Sequence, residues 1–234
     1  VKRKQVTKNA RYAAKNKFVF PAFYGSMYTD MAKSLWNGID ELKLDVDGMP
    51  MKKHLDNKGI YKMGDCNIRE SAEPGSFEKH IKNVDRRFWE EDFPIYNAWK
   101  ENWWKTYQQK MSFSMLTGFQ IDGVYKRNDV INYPIQGAAF HCLLWSLIRL
   151  VKLLRKYKMK TKVIGQIHDS ILADVHKSKV QQYLDLAYQI LTVDLPKAWE
   201  WIIVPLDAEA EVAEDNWYGK REWVKSNGIW GAAV

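Results

Sequence analysis

Cysteine is scarce in this chain of 234 residues, which contains only Cys66 and Cys142. The two lie far apart in the sequence and match no zinc-binding spacing, so we expect no structural zinc site. Cys142 falls in an apolar helical run and is predicted to be a buried thiol. This use of cysteine fits a reducing, cytoplasmic location.

Targeting segments and long hydrophobic runs are also lacking. We find no signal peptide and no uncharged apolar stretch of about 18 residues, and we therefore expect no membrane span. Acidic residues are the minority among the charges, since 36 Lys and Arg outnumber 28 Asp and Glu and give a net charge of +8. The basic residues are spread over the whole chain, which favours a polyanionic partner, nucleic acid or an anionic membrane surface.

The pattern of apolar residues is mostly helical, and the length suits one large domain or two small ones. We predict helices over residues 1–37, 76–111, 132–158 and 179–201, an irregular connector with a small hairpin over 38–76, and strands within 113–124, 163–175 and 202–212. Such an order predicts an α+β fold with a small antiparallel sheet and packed long helices.

Turn and cap residues refine these boundaries. Pro21 and Gly25 are expected to interrupt the first helix, and Pro94 the second. Asn132 is expected to cap the third helix, with Pro134 in its first turn. The strand pair within 113–124 is expected to turn at Asp122-Gly123.

A stripe of aromatic side chains marks the second helix. Its members recur at every third or fourth position, namely Trp89, Phe93, Tyr96, Trp99, Trp103 and Tyr107. Side chains at this spacing share one helix face. We interpret the stripe as a packing face, not as a platform for stacked bases.

The first candidate site lies in the N-terminal helix. Arg11 and Lys15 are one helical turn apart, a spacing that lets two cations grip one polyphosphate. Aromatic residues follow, among them Phe20 and Tyr24, and an aromatic ring there can stack on a base. The alternative is a solvated basic helix that packs through its aromatic residues.

The second candidate site is the run from Asn132 to Gly137. The amides of Asn132 and Gln136 are one turn apart and can contact a DNA duplex, while Gly137 allows a bulky partner to approach the helix. A capping Asn with an incidental Gln is the alternative, although it leaves the glycine unexplained.

The third candidate site is the pair His168-Asp169, which two β-prone runs place at the tip of a hairpin. A carboxylate presented there in a basic chain needs a cation, and Mg²⁺ fits because proteins hold it with carboxylates and substrate phosphates. The alternative is an ordinary turn, since Asp is common at hairpin tips.

Taken in order, these three motifs resemble the C-terminal half of family A DNA polymerases, which include bacterial DNA polymerase I and phage replicative enzymes. The closing run from Val204 to Trp217 is also similar to that family's C-terminus. The resemblance covers essentially the whole chain and implies helical fingers over residues 1–125 and the C-terminal part of a palm over 126–234.

The resemblance also implies roles for individual residues. Arg11 and Lys15 would bind the triphosphate of the incoming dNTP, and Phe20 with Tyr24 would stack on its base. Contacts to the primer–template would come from Arg127, Asn132, Gln136 and Gly137. Asp169 would be the catalytic metal ligand, with the catalytic His168 near the primer terminus. The implied cofactor is Mg²⁺ in a two-metal site.

The chain departs from the family pattern at several positions. From Lys15 to Tyr24 it is one residue longer, so either Phe23 takes the position of Phe20 or a bulge restores the register. The family's Arg before the Asn-x-Pro motif falls on Asn128, beside Arg127. Ser170 replaces the usual Glu, as in single-subunit phage RNA polymerases.

The family's first catalytic Asp, its thumb and its exonuclease carboxylates have no counterpart in this sequence. The resemblance thus implies a template-directed DNA polymerase, active in the cytoplasm (of a bacterial host if phage-encoded), that needs an upstream segment or a separate chain. The alternatives are a fragment of a single-subunit RNA polymerase and a non-catalytic DNA-binding module.

Overall fold

The structure of the protein, a computed structural model, describes residues 6–65 and 72–233. Cys66 lies outside the described residues. The chain forms two compact units: the first contains the residues through Ser112 together with Asp122–Asn132, and the second contains Phe113–Ile121 and the residues from Tyr133 onward. The boundary near residue 132 is a property of the structure, and the assignment of the parts to fingers and palm stays a prediction.

The first unit is mainly helical. Its helices and its one small hairpin are α1 (Lys8–Ala14), α2 (Phe20–Phe23), α3 (Tyr28–Glu41), β1 (Asp45–Val46), β2 (Met49–Pro50), α4 (Met51–Asp56), α5 (Phe77–Arg87) and α6 (Pro94–Lys110). The predicted connector hairpin is therefore confirmed. Helices α3 and α5 face each other through Met31, Ile39 and Ile81, which are at most 5% exposed.

The chain passes between the units in a strand pair and in a long helix. The strands are β3 (Ser112–Ser114) and β4 (Gln120–Asp122), and the helix is α7 (Arg127–Lys156). The turn between the strands uses Gly118, whose φ of +82° suits glycine. The prediction of a turn at Asp122-Gly123 was wrong, because Asp122 still belongs to β4.

The second unit combines helices with two small sheets. Its elements are β5 (Lys162–Ile167), β6 (Ser170–Asp174), α8 (Val180–Gln189), α9 (Leu195–Ala198), β7 (Ala210–Val212), β8 (Arg221–Ser226) and β9 (Ile229–Ala232). Leu150 and Leu154 of α7 pack with Tyr183 of α8 against the hairpin. These helices and small antiparallel sheets confirm the predicted α+β class.

The C-terminal region differs from its prediction in one strand. The strand expected over residues 202–212 is confined to Ala210–Val212. Further along, Ile229–Ala232 form β9, where Trp230 is only 5% exposed because its ring docks on α8. Its indole nitrogen donates to Asp185 at 2.9 Å, and its backbone exchanges hydrogen bonds with the Gln181 side chain.

Three π-helical turns each precede a proline. They are Lys15–Val19 before Pro21, Phe88–Asp92 before Pro94, and Ile190–Asp194 before Pro196. In each, the residue just before the proline donates its backbone N–H to the carbonyl five positions back. A proline supplies no N–H, so the wider turn carries the hydrogen-bond ladder past Pro21 and Pro196. The prediction that Pro21 interrupts the first helix was therefore wrong. At Pro94 the predicted interruption is confirmed, because Phe93, with φ of −131°, lies outside the helix and α6 begins at Pro94.

Helix α7 begins at Arg127, five residues before its predicted start. Asn132 is therefore not its cap, and Pro134 lies inside the helix. Pro134 cannot donate to the carbonyl of Val130, its normal partner four residues back. The indole nitrogen of Trp103 replaces that donor at 3.0 Å, so α6 stabilises the beginning of α7.

By length and composition, α7 could cross a membrane, although one such helix is weak evidence because buried core helices meet the same criteria. Residues 130–148 contain no Asp, Glu, Lys or Arg. The expectation that the sequence has no uncharged apolar stretch of this length was therefore wrong. Uncharged polar residues such as Gln136 and His141 interrupt the stretch and make it hard to recognise. The absence of a membrane span stays a prediction.

Candidate nucleotide and DNA interface

The first helix presents its two cations to solvent as the sequence predicted. Arg11 lies in α1, and Lys15 follows one turn later, where its backbone N–H donates to the carbonyl of Arg11. Both side chains are exposed. The ammonium of Lys15 lies 4.9 Å from the centre of the Phe20 ring, a cation–π contact that fixes it beside an exposed aromatic side chain.

The π-helical turn after Lys15 decides which aromatic residues reach the surface. A π bulge accommodates one extra residue in a helix, which is the excess between Lys15 and Tyr24. Beyond it, Phe20 and Tyr24 are 39% and 45% exposed, with ring centres 6.1 Å apart. Phe23 instead packs edge-on against Phe88, one of four such neighbours. The geometry thus favours Phe20 over Phe23 as the stacking residue, and the role itself stays a prediction.

The first residues of the aromatic stripe pack around Phe23. The rings that surround Phe23 at centre distances of 5.3 to 5.6 Å belong to Phe88, Trp89, Phe93 and Tyr96. Edge-to-face pairs of this kind stabilise by about 0.5–1.5 kcal/mol each beyond burial. The prediction that the stripe is a packing face is confirmed, and it fixes the end of α2 against α6.

Residues from three distant segments meet in one pocket of the first unit. Tyr24 and Gly25 line it from the end of α2, Lys100 from α6, and Arg127, Asn128 and Asn132 from the start of α7. The pocket is shallow: its own volume is about 20 Å³, room for about one water molecule, and it opens to solvent. The pocket thus brings together one predicted nucleotide-binding residue and two predicted DNA-binding residues.

Tyr107 holds the loop that leads into this pocket. Its buried hydroxyl donates to the carbonyl of Gly123 at 2.6 Å and accepts from the backbone N–H of Tyr125 at 2.7 Å. Two further contacts fix α6 to the start of α7: the Trp103–Val130 hydrogen bond and the ion pair of Arg127 with Glu101. These contacts therefore fix α6 and the start of α7, two of the three segments that line the pocket, to each other.

Gly25 is required by its backbone and by its surroundings. Its φ is +83°, in the left-handed region. A Cβ atom there would lie 2.5 Å from Cγ of Asn128 and 2.8 Å from its Nδ2. Asn128 also donates a long hydrogen bond of 3.4 Å to the carbonyl of Gly25. Asn128 and Gly25 therefore pack closely, and the role of the neighbouring Arg127 in DNA binding stays a prediction.

Lys100 is the functional candidate that sequence reasoning missed. Its ammonium lies 3.1 Å from the centre of the Trp89 ring and 5.7 Å from that of Tyr96. Burial, with a smaller contribution from Arg127, lowers the pKa of Lys100 to about 8, against the attraction of Glu101 and Asp85. Its place inside the aromatic stripe, four residues after Tyr96, was the available signal.

Gln136 and Gly137 lie further along α7, in the second unit. Gln136 is exposed, and its contact with DNA stays a prediction. A Cβ atom on Gly137 would lie 2.6 Å from Cε of Met115. The space above the glycine, expected to admit a bulky partner, is therefore filled by a side chain of the same unit, which gives Gly137 a packing role.

The His168-Asp169 pair forms the tip of the β5–β6 hairpin, as predicted. Ile167 pairs with Ser170 across a two-residue turn, and His168 has a φ of +49°. The Ser170 hydroxyl donates to the carbonyl of Ile167 at 2.8 Å, which tightens the turn. Both His168 and Asp169 are exposed, so the carboxylate is accessible to a ligand.

A metal centre is only partly provided by the described residues. No group of three or more His, Cys, Asp or Glu side chains that could hold a metal ion occurs within residues 6–65 and 72–233. The exposed carboxylate of Asp169 is an oxygen donor of the type that Mg²⁺ prefers. The role of Asp169 as a metal ligand stays a prediction.

Comparison with solved structures shows the class of fold. Over 81% of this chain and 28% of the other, the structure resembles the POL domain of Pol1 from M. smegmatis in complex with DNA primer-template and dNTP, with a TM-score of 0.55 and 14% identity. The fold is that of a polymerase domain.

The family follows from the sequence. Residues 110–219 match the model of DNA polymerase family A. A DNA polymerase I from Chloroflexus aurantiacus is 27% identical over 89 residues, which are 38% of this chain and 9% of that protein. Over residues 110–219, slightly less than half of its length, the chain is thus similar to DNA polymerase family A, and it spans only a small part of either relative.

Proposed function

We propose that this chain is the fingers and the C-terminal palm of a DNA-directed DNA polymerase that adds dNTPs to a primer 3′ end on a template. The observation that carries the proposal is the pocket where Tyr24 meets Arg127 and Asn132, residues more than 100 positions apart. The family match over residues 110–219, which include the His168-Asp169 hairpin, supports it.

The surface of the first helix suits the triphosphate of a dNTP. Arg11 and Lys15 lie one turn apart and exposed, so they can neutralise the charge that develops on the departing pyrophosphate. Phe20 and Tyr24 offer exposed rings for the base. These residues bind and orient the nucleotide, which is most of what a protein contributes to phosphoryl transfer.

The second unit would supply one metal ligand. Asp169 would hold Mg²⁺, and when bound the ions would stabilise the attacking and the leaving oxygens of the transfer. His168 beside it would contact the primer terminus. Since a two-metal site needs at least one more carboxylate, we propose that an upstream segment, in the same protein or in a separate chain, provides it.

The setting we propose is the cytoplasm, that of a bacterial host if the protein is phage-encoded. The scarcity of cysteine, with only Cys66 and Cys142 in the chain, is the basis of this proposal. Ser170 keeps an RNA polymerase fragment as the second candidate, and incorporation of rNTPs in preference to dNTPs would favour it.

Primer extension with Asp169 variants tests the proposal, using this chain together with the upstream segment. Asp169→Ala should abolish dNTP incorporation while leaving primer–template affinity within about twofold, because the exposed side chain contributes little to folding. Asp174→Ala is the matched control, since Asp174 is an exposed carboxylate in the same hairpin. Extension that survives Asp169→Ala at the control rate would refute the role of Asp169.

A non-catalytic DNA-binding module gives another result. It predicts salt-sensitive DNA binding that neither Mg²⁺ nor dNTP alters, and no incorporation under any condition. A dNTP-dependent gain in primer–template affinity that Arg11→Ala reduces would rule that module out.

A further inference from the structure

Lys100 lines the pocket beside Arg127 and belongs to none of the three motifs described above. We propose that Lys100, next to Arg127, is a second cationic contact for a backbone phosphate of a DNA strand that lies against this pocket. The proposal rests on the proposed function and adds a residue and a charge to its DNA interface.

The position of Lys100 supports this role. Its ammonium lies against the Trp89 ring, 3.1 Å from the ring centre, with the Tyr96 ring centre 5.7 Å away. It lines the same space as Arg127 and Asn132. A cation held against an aromatic ring loses less side-chain freedom when it binds a phosphate than a free surface lysine does.

Two cations, Lys100 and Arg127, line the pocket. Arg127 forms an ion pair with Glu101, so its charge is partly compensated. Within the described residues, Lys100 forms no ion pair. The carboxyl group of Asp85 is half-buried, and its burial raises its pKa. A phosphate would form an ion pair with Lys100. The side-chain amides of Asn128 and Asn132, which line the same pocket, can donate hydrogen bonds to phosphate oxygens.

The charge of Lys100 is expected to depend on pH in the range where polymerases are assayed. The groups that face it are Asp85 of α5, Tyr96 and Glu101 of α6, and Arg127 of α7. Burial lowers the pKa of the ammonium to about 8. DNA affinity should thus decrease as the pH rises through this value, because the neutral amine no longer attracts a phosphate.

The test is fluorescence anisotropy with a labelled primer–template, measured at pH 7 and pH 9 at fixed ionic strength. Lys100→Met keeps the apolar stem and removes the charge, so Kd at pH 7 should rise on the order of 3- to 10-fold. The slope of log K against log salt should fall by about one. Lys105→Met is the matched control, since Lys105 is an exposed lysine of the same helix.

Lys100→Arg shows whether the loss of DNA affinity at pH 9 comes from the charge of this residue. The titration of another group, or unfolding of the protein, would lower the affinity of this variant as well. Arginine stays charged at pH 9, so this variant should keep its affinity there while the wild type loses it. Equal affinities for the Lys100→Met variant and the Lys105→Met control would overturn the proposal, as would a loss confined to dNTP binding. If neither the wild type nor any variant binds primer–template at low salt, the proposed function itself fails.

Discussion

Replacing Gly25 by alanine tests how the nucleotide-binding helix is joined to the start of α7. The change adds a methyl group at a residue with φ of +83°, which costs about 1–2 kcal/mol of backbone strain. It also places Cβ 2.5 Å from Cγ of Asn128, so Asn128 must move and its hydrogen bond to Gly25 is lost, at about 0.5–1.5 kcal/mol. We expect a total loss of about 2–3 kcal/mol in the free energy of unfolding.

Gly48 supplies the matched control for this prediction. Its φ of +82° is almost identical, and a Cβ atom there meets nothing within 4 Å. Gly48→Ala should therefore show the backbone strain alone. Urea unfolding of both variants gives the two free energies, and their difference isolates the contact with Asn128.

A double variant checks the cause. When Asn128→Ala is combined with Gly25→Ala, the obstructing side chain is gone, so the added cost of Gly25→Ala should shrink to that of Gly48→Ala. Equal destabilisation of the two glycine variants, within about 0.5 kcal/mol, would rule out a cost from the contact with Asn128. An undiminished cost in the Asn128→Ala background would rule it out too.

Two further predictions concern buried polar groups. Trp103→Phe removes the donor to the carbonyl of Val130, and urea unfolding should show a loss of about 1–3 kcal/mol, whereas Trp104→Phe, the neighbouring control, should cost less. Glu78 is fully buried with both carboxylate oxygens unpaired among the described residues, and burial raises its pKa. The folded state thus holds its proton more tightly, so the wild type loses stability as the pH rises above the ordinary pKa of Glu. Glu78→Gln should stabilise at pH 7 and lose that advantage by about pH 4, as thermal unfolding at both pH values will show; equal gains at both would contradict the assignment.

Much of the secondary structure was predictable because it depends on local patterns. The aromatic stripe from Trp89 to Tyr107 is a periodic signal, and the helix predicted to begin at residue 76 does begin next to it, at Phe77. The His168-Asp169 turn was equally local, because two β-prone runs leave only a two-residue connection.

Two of the errors have a common physical origin in proline. Pro134 was placed in the first turn of a helix because an interior proline leaves a carbonyl without its donor. Trp103, which is 27 positions away from Val130, supplies that donor, and no local pattern announces such a partner. Pro21 was expected to interrupt a helix, and a π-helical turn carries the chain past it instead.

The candidate site shows the same division. Arg11, Lys15 and Asp169 could be selected from motifs, and the structure places all three in exposed positions. The roles of Asn128 and Lys100 depend on which segments meet in the pocket, which is a matter of tertiary packing. Likewise, only packing reveals that Met115 covers Gly137.

The proposed function requires that this chain holds one part of a polymerase site and that an upstream segment holds the other. Primer extension with this chain alone, and again with that segment added, measures this division directly. We predict no dNTP incorporation by the chain alone and template-directed incorporation by the combination. Robust extension by the chain alone would contradict the division of the site.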